Sequence, residues 1–135
     1  MALKLTLKPN EKIVVNGAVL TNGPTKTTIA VENSAVILRQ KDVMQETAAN
    51  TPARRIYYSI QLAYLDADNR HAYLGKTNLL ARDFVSAAPT PEVIDTVVSL
   101  GADLARGNFF QALKRCKKLI AYEETRLNYG REPIR

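Results

Sequence analysis

A chain of 135 residues with 46% hydrophobic side chains can bury one ordinary core, or two small ones packed together, and a net charge of +6 favours anionic or acidic partners. One cysteine, Cys116, excludes an internal disulfide, and the single histidine, His71, leaves no Cys/His set of the kind that holds zinc. No run approaches the ~18–20 apolar residues of a membrane span, and the N-terminus shows no charged-then-apolar signal segment, so a cytoplasmic protein is expected.

The first fifty residues alternate apolar and polar side chains between closely spaced turn signals. Leu3, Leu5 and Leu7 point one way and Lys4, Thr6 and Lys8 the other, as a half-buried strand requires. Strands are expected at 2–8, 12–15, 18–21, 27–32 and 35–39. Lys8-Pro9-Asn10 should turn the first strand into the second, and Asn33-Ser34 the fourth into the fifth. Asn16-Gly17 and Asn22-Gly23-Pro24 have turn chemistry, because Asn and Gly tolerate positive φ. The polar stretch 40–50 reads as a linker, giving an antiparallel β module at 1–45 and a helical region at 46–135.

Four helices follow. Thr51-Pro52 opens the first as N-cap and first helical residue, and it should end near Leu65. A weaker pattern at 70–87 is expected to be interrupted at Gly75. Thr90-Pro91 opens the third, in which Val93, Ile94, Val97, Val98, Leu100, Gly101, Leu104 and Ala105 share one arc and Asp103 lies on the other. Gly107 should stop it, and a fourth helix at 109–127 buries Phe109, Ala112, Leu113, Cys116, Leu119, Ile120 and Leu127. The third and fourth should pair antiparallel, with Gly101 permitting close approach. Glu123 falls within the apolar face of the fourth, where it needs a partner, and an arginine from another helix is the expected one.

The positive excess is even: six basic over four acidic residues in 1–50, five over three in 51–90, and eight over six in 91–135. Any anion must therefore be met by a folded surface rather than a basic tail. Lys4, Lys8 and Lys12 would cluster if the first two strands paired, joined by Arg39 and Lys41 if the last strand returned beside the first. Such cations can hold a phosphate backbone, and they equally protect an open sheet edge. Arg54 and Arg55 stand in the first turn of a helix, where cations oppose the dipole by roughly 0.3–1 kcal/mol each. They could meet phosphate or pair with Glu123 or Glu124. Tyr57 and Tyr58 follow and offer rings for base stacking or for the core. Lys114, Arg115, Lys117 and Lys118 read as a solvated helix face.

Nothing in the chain assembles catalytic chemistry. His71 has no nucleophile beside it, Cys116 lies on an apolar helix face, and there is no glycine-rich phosphate loop or paired-carboxylate motif. No enzyme activity, metal or cofactor is expected.

The segments LKLTLKPNEKIVVNGAV at 3–19, VILRQKDVMQ at 36–45, TPARRIYYSIQLAYLD at 51–66 and ALKRCKKLIAYEETRL at 112–127 resemble, in order and spacing, the flagellum biosynthesis repressor (FlbT) family of alphaproteobacteria. That resemblance covers nearly the whole chain. It implies a post-transcriptional regulator that associates with the 5′ untranslated leader of flagellin messenger RNA and controls its translation and degradation. The β module is also similar in rhythm to the carbon-storage-regulator type of RNA-binding protein, through Glu11 before Ile13 and Val15, Ile29, Val31 and Asn33, and Val36 to Val43 with Arg39. The helices have no counterpart there.

The combined reading is an α+β protein, an N-terminal antiparallel β module followed by three or four helices, that binds flagellin leader RNA. The RNA-contact set is Lys4, Lys8, Lys12, Arg39, Lys41, Arg54 and Arg55, with Tyr57 and Tyr58 as stacking groups. The rival reading is a protein-interaction adaptor that binds flagellin or a companion flagellar regulator. Oligomeric state and the sign of regulation stay open at this point.

Overall fold

A computed structural model describes residues 3–131, with side chains up to residue 126. Its contacts divide the chain between Val43 and Met44 into a β unit and a helical unit. The elements are antiparallel strands followed by four α-helices, as the α+β reading requires. The expected strand at 2–8 reaches past the described residues at its start.

The β unit contains β1 (Leu3–Leu7), β2 (Lys12–Val15), β3 (Ala18–Thr21), β4 (Thr27–Val31) and β5 (Ile37–Arg39). Asn16 and Gly17 both take positive φ, 50° and 84°, and close the β2–β3 hairpin, with Val15 opposite Ala18. Two-residue hairpins favour such turns because their twist matches that of the strands. The expected β1–β2 pairing does not form, and β5 does not return beside β1. β1 pairs with β4, Leu5 opposite Ile29, while β2 lies between β3 and β5 in a separate three-stranded sheet.

Hydrogen bonds explain the exchange. Lys8-Pro9-Asn10-Glu11 does turn, closed by Glu11 N–H onto the Lys8 carbonyl at 3.1 Å, with Asn10 at φ 62°. The groups that would start a β1–β2 ladder are engaged by the loop after β3. Asn10 N–H donates to the Gly23 carbonyl at 2.9 Å, and Asn22 N–H to the Glu11 carbonyl at 2.8 Å. The Asn22 amide also reaches the carbonyls of Leu7 and Lys8, at 3.3 and 2.8 Å. β5 is held on β2 by a reciprocal pair, Asn16 N–H to Val36 O at 2.8 Å and Val36 N–H to Asn16 Oδ1 at 2.9 Å. Leu7, Ile13 and Leu38 are the buried apolar residues of this unit.

The helical unit contains α1 (Pro52–Leu65), α2 (Arg70–Ala87), α3 (Pro91–Ala105) and α4 (Phe109–Arg131). Thr51 and Thr90 cap α1 and α3 as expected, each side chain accepting a backbone N–H three residues on. Gly107, at φ 77°, ends α3. Its N–H returns to the Leu104 carbonyl and that of Asn108 to Asp103, the pair of bonds that satisfies a helix's last carbonyls. Gly75 does not interrupt α2, which is continuous across it; the residue is exposed, so only propensity is lost there.

α1 is the centre of the unit, with Ala53, Ile56, Ile60 and Ala63 fully buried against its neighbours. From α4 come Phe109, Ala112, Leu113, Cys116 and Leu119, and from α3 Val93 and Leu100. Leu127 lies outside the residues with described side chains. The Ser59 and Thr77 hydroxyls, both buried, join α1 to α2 at 2.6 Å. Gln61 fastens the start of the unit by accepting from Met44 N–H at 2.7 Å and donating to Met44 O at 2.9 Å. Arg70 folds back onto the last carbonyls of α1, with Nε 2.7 Å from Ala63 O, and its guanidinium lies 4.9 Å from the centre of the Phe109 ring. A cation suits that end of the helix dipole.

Two expectations for α3 are corrected. Gly101 is exposed, and a methyl group there would meet nothing within 4 Å, so it does not mediate close approach to α4. Asp103 is buried and pairs with Arg115 of α4. α3 therefore turns Val93, Leu100 and Asp103 inward, and the arc centred on Ile94 and Val98 faces solvent.

Candidate nucleic-acid interface

Three of the sequence-derived cations meet in the β unit. The tight Lys8–Glu11 turn and the strand end that carries Arg39 into the 3-10 turn Gln40–Asp42 border a hollow of about 490 Å³, lined by Lys8, Glu11, Arg39, Gln40 and Lys41. Arg39 is fixed at its wall. Nη2 lies 3.1 Å from Glu11 Oε2 and 2.6 Å from the Thr6 carbonyl, and Nε lies 3.3 Å from Oε2. Glu11 also accepts the Lys8 N–H at 2.9 Å. That backbone bond, reinforced by the Arg39 guanidinium, holds the Glu11 carboxyl below its usual range. The hollow thus has one braced cation and two exposed ammonium groups, Lys8 and Lys41, in reach of an incoming anion.

Lys4 and Lys12 do not line it. With β1 paired to β4, Lys4 stands opposite Ala30 on the other sheet. Lys12 extends across the hairpin, Nζ 3.0 Å from Thr21 Oγ1, while its N–H donates to Gln40 Oε1 at 2.7 Å. The pairing that would have gathered Lys4, Lys8 and Lys12 is absent.

In the helical unit the two arginines of the first α1 turn separate. Arg54 Nη2 lies 2.7 Å from Glu124 Oε1, an ion pair with both side chains partly in water. Glu123 takes neither arginine. Its Oε2 accepts the Ala53 N–H at 2.9 Å, placing a buried carboxylate on the N-terminus of α1, and its Oε1 has no partner. The partner that Glu123 needs within the apolar face of α4 is therefore the positive end of α1 rather than the expected arginine.

Arg55 borders a second hollow, about 290 Å³, with Tyr58, Ser59 and Leu62 of α1, Lys76 of α2 and Glu46. Arg55 and Lys76 are exposed, and the half-buried Tyr58 ring lies beside them. Two cations and an aromatic face can hold a phosphate and a base together. Tyr57, in contrast, is 2% exposed and is part of the core, so its ring is closed to stacking. Lys76 was missed from sequence. Its signal was indirect: it precedes Thr77, and only the Ser59–Thr77 contact shows that this turn of α2 lies against Arg55 and Tyr58.

Among the described residues no group of His, Cys, Asp and Glu could hold a metal, and no helix is long and apolar enough to cross a membrane. Cys116 is buried, and burial, with the Glu123 carboxylate adding to it, pushes its thiol pKa far up. Such a thiol is inert packing.

Comparison with known proteins gives one consistent result. The model of the flagellar protein FlbT family matches residues 3–127. The flagellum biosynthesis repressor protein FlbT of Caulobacter vibrioides (strain ATCC 19089 / CIP 103742 / CB 15) is 35% identical over 129 residues, spanning 96% of this chain and 92% of that protein. FlbT-named relatives from Caulobacter sp. (strain K31) and Bradyrhizobium diazoefficiens are 37% and 38% identical, spanning 96% and 92% of this chain and 98% and 84% of their own lengths. No solved structure matches the chain. With a family match over residues 3–127 and this identity over nearly its whole length, the chain belongs to the FlbT family of flagellar proteins.

Proposed function

We propose that this protein represses flagellum biosynthesis by binding the 5′ untranslated leader of flagellin messenger RNA in the cytoplasm and controlling its translation and lifetime. The repressor role is what the relatives' names state of them. The single observation that supports direct RNA contact is the hollow in which Lys8 and Lys41 flank a braced Arg39. Arg39 is already braced by Glu11 and Thr6, and the backbone of the hollow is fixed by two tight turns and a paired strand, so little backbone freedom is lost when an anion docks. Arg55, Lys76 and Tyr58 form a second set suited to an unpaired nucleotide, with guanidinium and ammonium for phosphate and the phenol ring for a base. In this reading regulation follows from occupancy of the leader rather than from its cleavage by this chain.

The test is a mobility-shift or anisotropy titration of the purified protein with the leader of its own flagellin message, across a salt series and with and without added flagellin. Direct binding predicts that log K falls linearly with log salt, by roughly 0.7–0.9 per phosphate contact, and that Lys8→Ala/Lys41→Ala makes the slope shallower. A shift seen only when flagellin is present would establish the adaptor reading in its place.

A further inference from the structure

α3 leaves a long apolar face with no partner among the described residues. At 100° per residue, Ile94, Val98, Gly101 and Ala105 fall within about 60° of one another, and all four are exposed. Val98 is 66% exposed, an unusual position for valine in the middle of a well-capped helix. Asp95 and Arg106 flank the same side of this stripe, are exposed, and make no ion pair among the described residues.

We propose that this face is a homodimer interface, in which α3 of one copy packs antiparallel on α3 of a second copy about a twofold axis between Val98 and Gly101. The occupant follows from self-complementarity. In an antiparallel pair centred there, Val98 lies opposite Gly101 of the second copy and Ile94 opposite its Ala105, so each large side chain meets a small one along the stripe. Gly101 has open space around it, and its bare backbone provides the recess that the second copy's Val98 fills. The same register fixes the charges. A twofold perpendicular to the helix pair keeps each flank on its own side. Asp95 then lies about two residues, or about 3 Å of helix rise, from the Arg106 of the second copy. Both ion pairs form at once by symmetry, as an isologous contact requires. Each charge also suits its own helix end, so charge alone would not identify the occupant; the large-to-small meshing in the same register does. A heterologous partner would have no reason to mirror both patterns.

The face is one 15-residue helix, so the interface is at the small end of specific contacts and the dimer should be concentration-dependent. Sedimentation equilibrium on the full chain, from micromolar to millimolar protein, should show a monomer–dimer equilibrium. A Cβ at Gly101 meets nothing within 4 Å in the monomer, so Gly101→Leu should weaken dimerisation by at least about tenfold with an unchanged circular dichroism spectrum. Asp95→Arg and Arg106→Asp should each weaken it, and the two together should restore it. Oxidation of a Val98→Cys/Gly101→Cys variant should give a covalent dimer, while Leu79→Cys, also well exposed but on α2, should not. The buried Cys116 leaves the introduced thiols as the reactive ones. A parent that stays monomeric throughout, or a dimer indifferent to both Gly101→Leu and the charge exchange, would overturn the proposal.

Discussion

Replacing Glu123 with alanine should destabilise the helical unit by about 1.5–3 kcal/mol, the usual worth of a hydrogen bond to a charged group. The figure follows from two effects of opposite sign. Alanine removes the acceptor of the buried Ala53 N–H, bonded at 2.9 Å, and the negative charge at the positive end of α1. It also relieves the cost of Oε1, a buried carboxylate oxygen with no partner. Glu123→Gln is the discriminating variant. Its amide oxygen can keep the Ala53 bond while the charge disappears, so the loss should be about 1 kcal/mol or less. By thermal denaturation, roughly 4 °C per kcal/mol separates the two for a unit of this size. Arg54 supplies the control, because its ion pair with Glu124 is 33% and 51% exposed. An Arg54→Gln/Glu124→Gln cycle should give a coupling of only about 0.2–1 kcal/mol. An Arg54→Gln/Glu123→Gln cycle should give none beyond the usual ~0.3–0.5 kcal/mol scatter. If glutamine costs as much as alanine, or if Glu123 couples strongly to Arg54, the carboxylate is acting as an ion-pair partner and the capping argument fails.

Leu113→Ala removes a buried side chain of α4 and should cost about 2–5 kcal/mol in chemical denaturation; a value under about 1 kcal/mol would mean that this face is not core. Cys116 should resist alkylation in the folded protein at neutral pH and react only as the chain unfolds, and rapid labelling under native conditions would contradict its burial. Glu11 should titrate below 4.5 by carboxyl NMR, and Arg39→Gln should move it back towards that value without abolishing the shift, since the Lys8 N–H is its leading cause. Because the folded value is depressed, its stabilising effect is present above 4.5 and is lost as pH falls through the folded pKa. Lys8→Ala/Lys41→Ala should weaken leader RNA binding more than Lys4→Ala/Lys12→Ala, because only the first pair shares a hollow; equal effects would argue for a diffuse basic surface.

Local chemistry in the sequence located the elements well. Thr51-Pro52, Thr90-Pro91, Asn16-Gly17 and Gly107 each carry a conformational demand that one or two residues express, and each occurs where its residue type requires. The partner of β1 was not legible, because it depended on Asn22. A single side-chain amide, bonding the carbonyls of Leu7, Lys8 and Thr25, diverts β1 away from β2, and no periodicity reports a bond of that kind. The error carried into the site directly. Lys4 and Lys12 belonged to a cluster only through the assumed hairpin, whereas Lys8, Arg39 and Lys41 come together through the turn and β5.

The helical misreadings share another cause. Periodicity measures how apolar an arc is, and α3 is apolar over most of its circumference, so it could not tell which part faces α4. The choice is made by Asp103. Once its carboxylate pairs with Arg115, Val93 and Leu100 must turn inward with it, and the opposite side, Ile94 to Ala105, is left in water. Burying Asp103 while exposing Val98 is locally unfavourable on both counts, and the ion pair offsets only part of it. The arrangement is economical if the exposed stripe has a use, and the large-to-small register along it is a property that folding of one chain does not require. The α1 terminus follows the same logic: Glu123 and Glu124 meet the needs of the helix end and of Arg54, and Arg55 is left over at the mouth of a hollow with Lys76 and Tyr58. In both helices, the residues that the fold does not consume are the ones on which the proposed contacts rest.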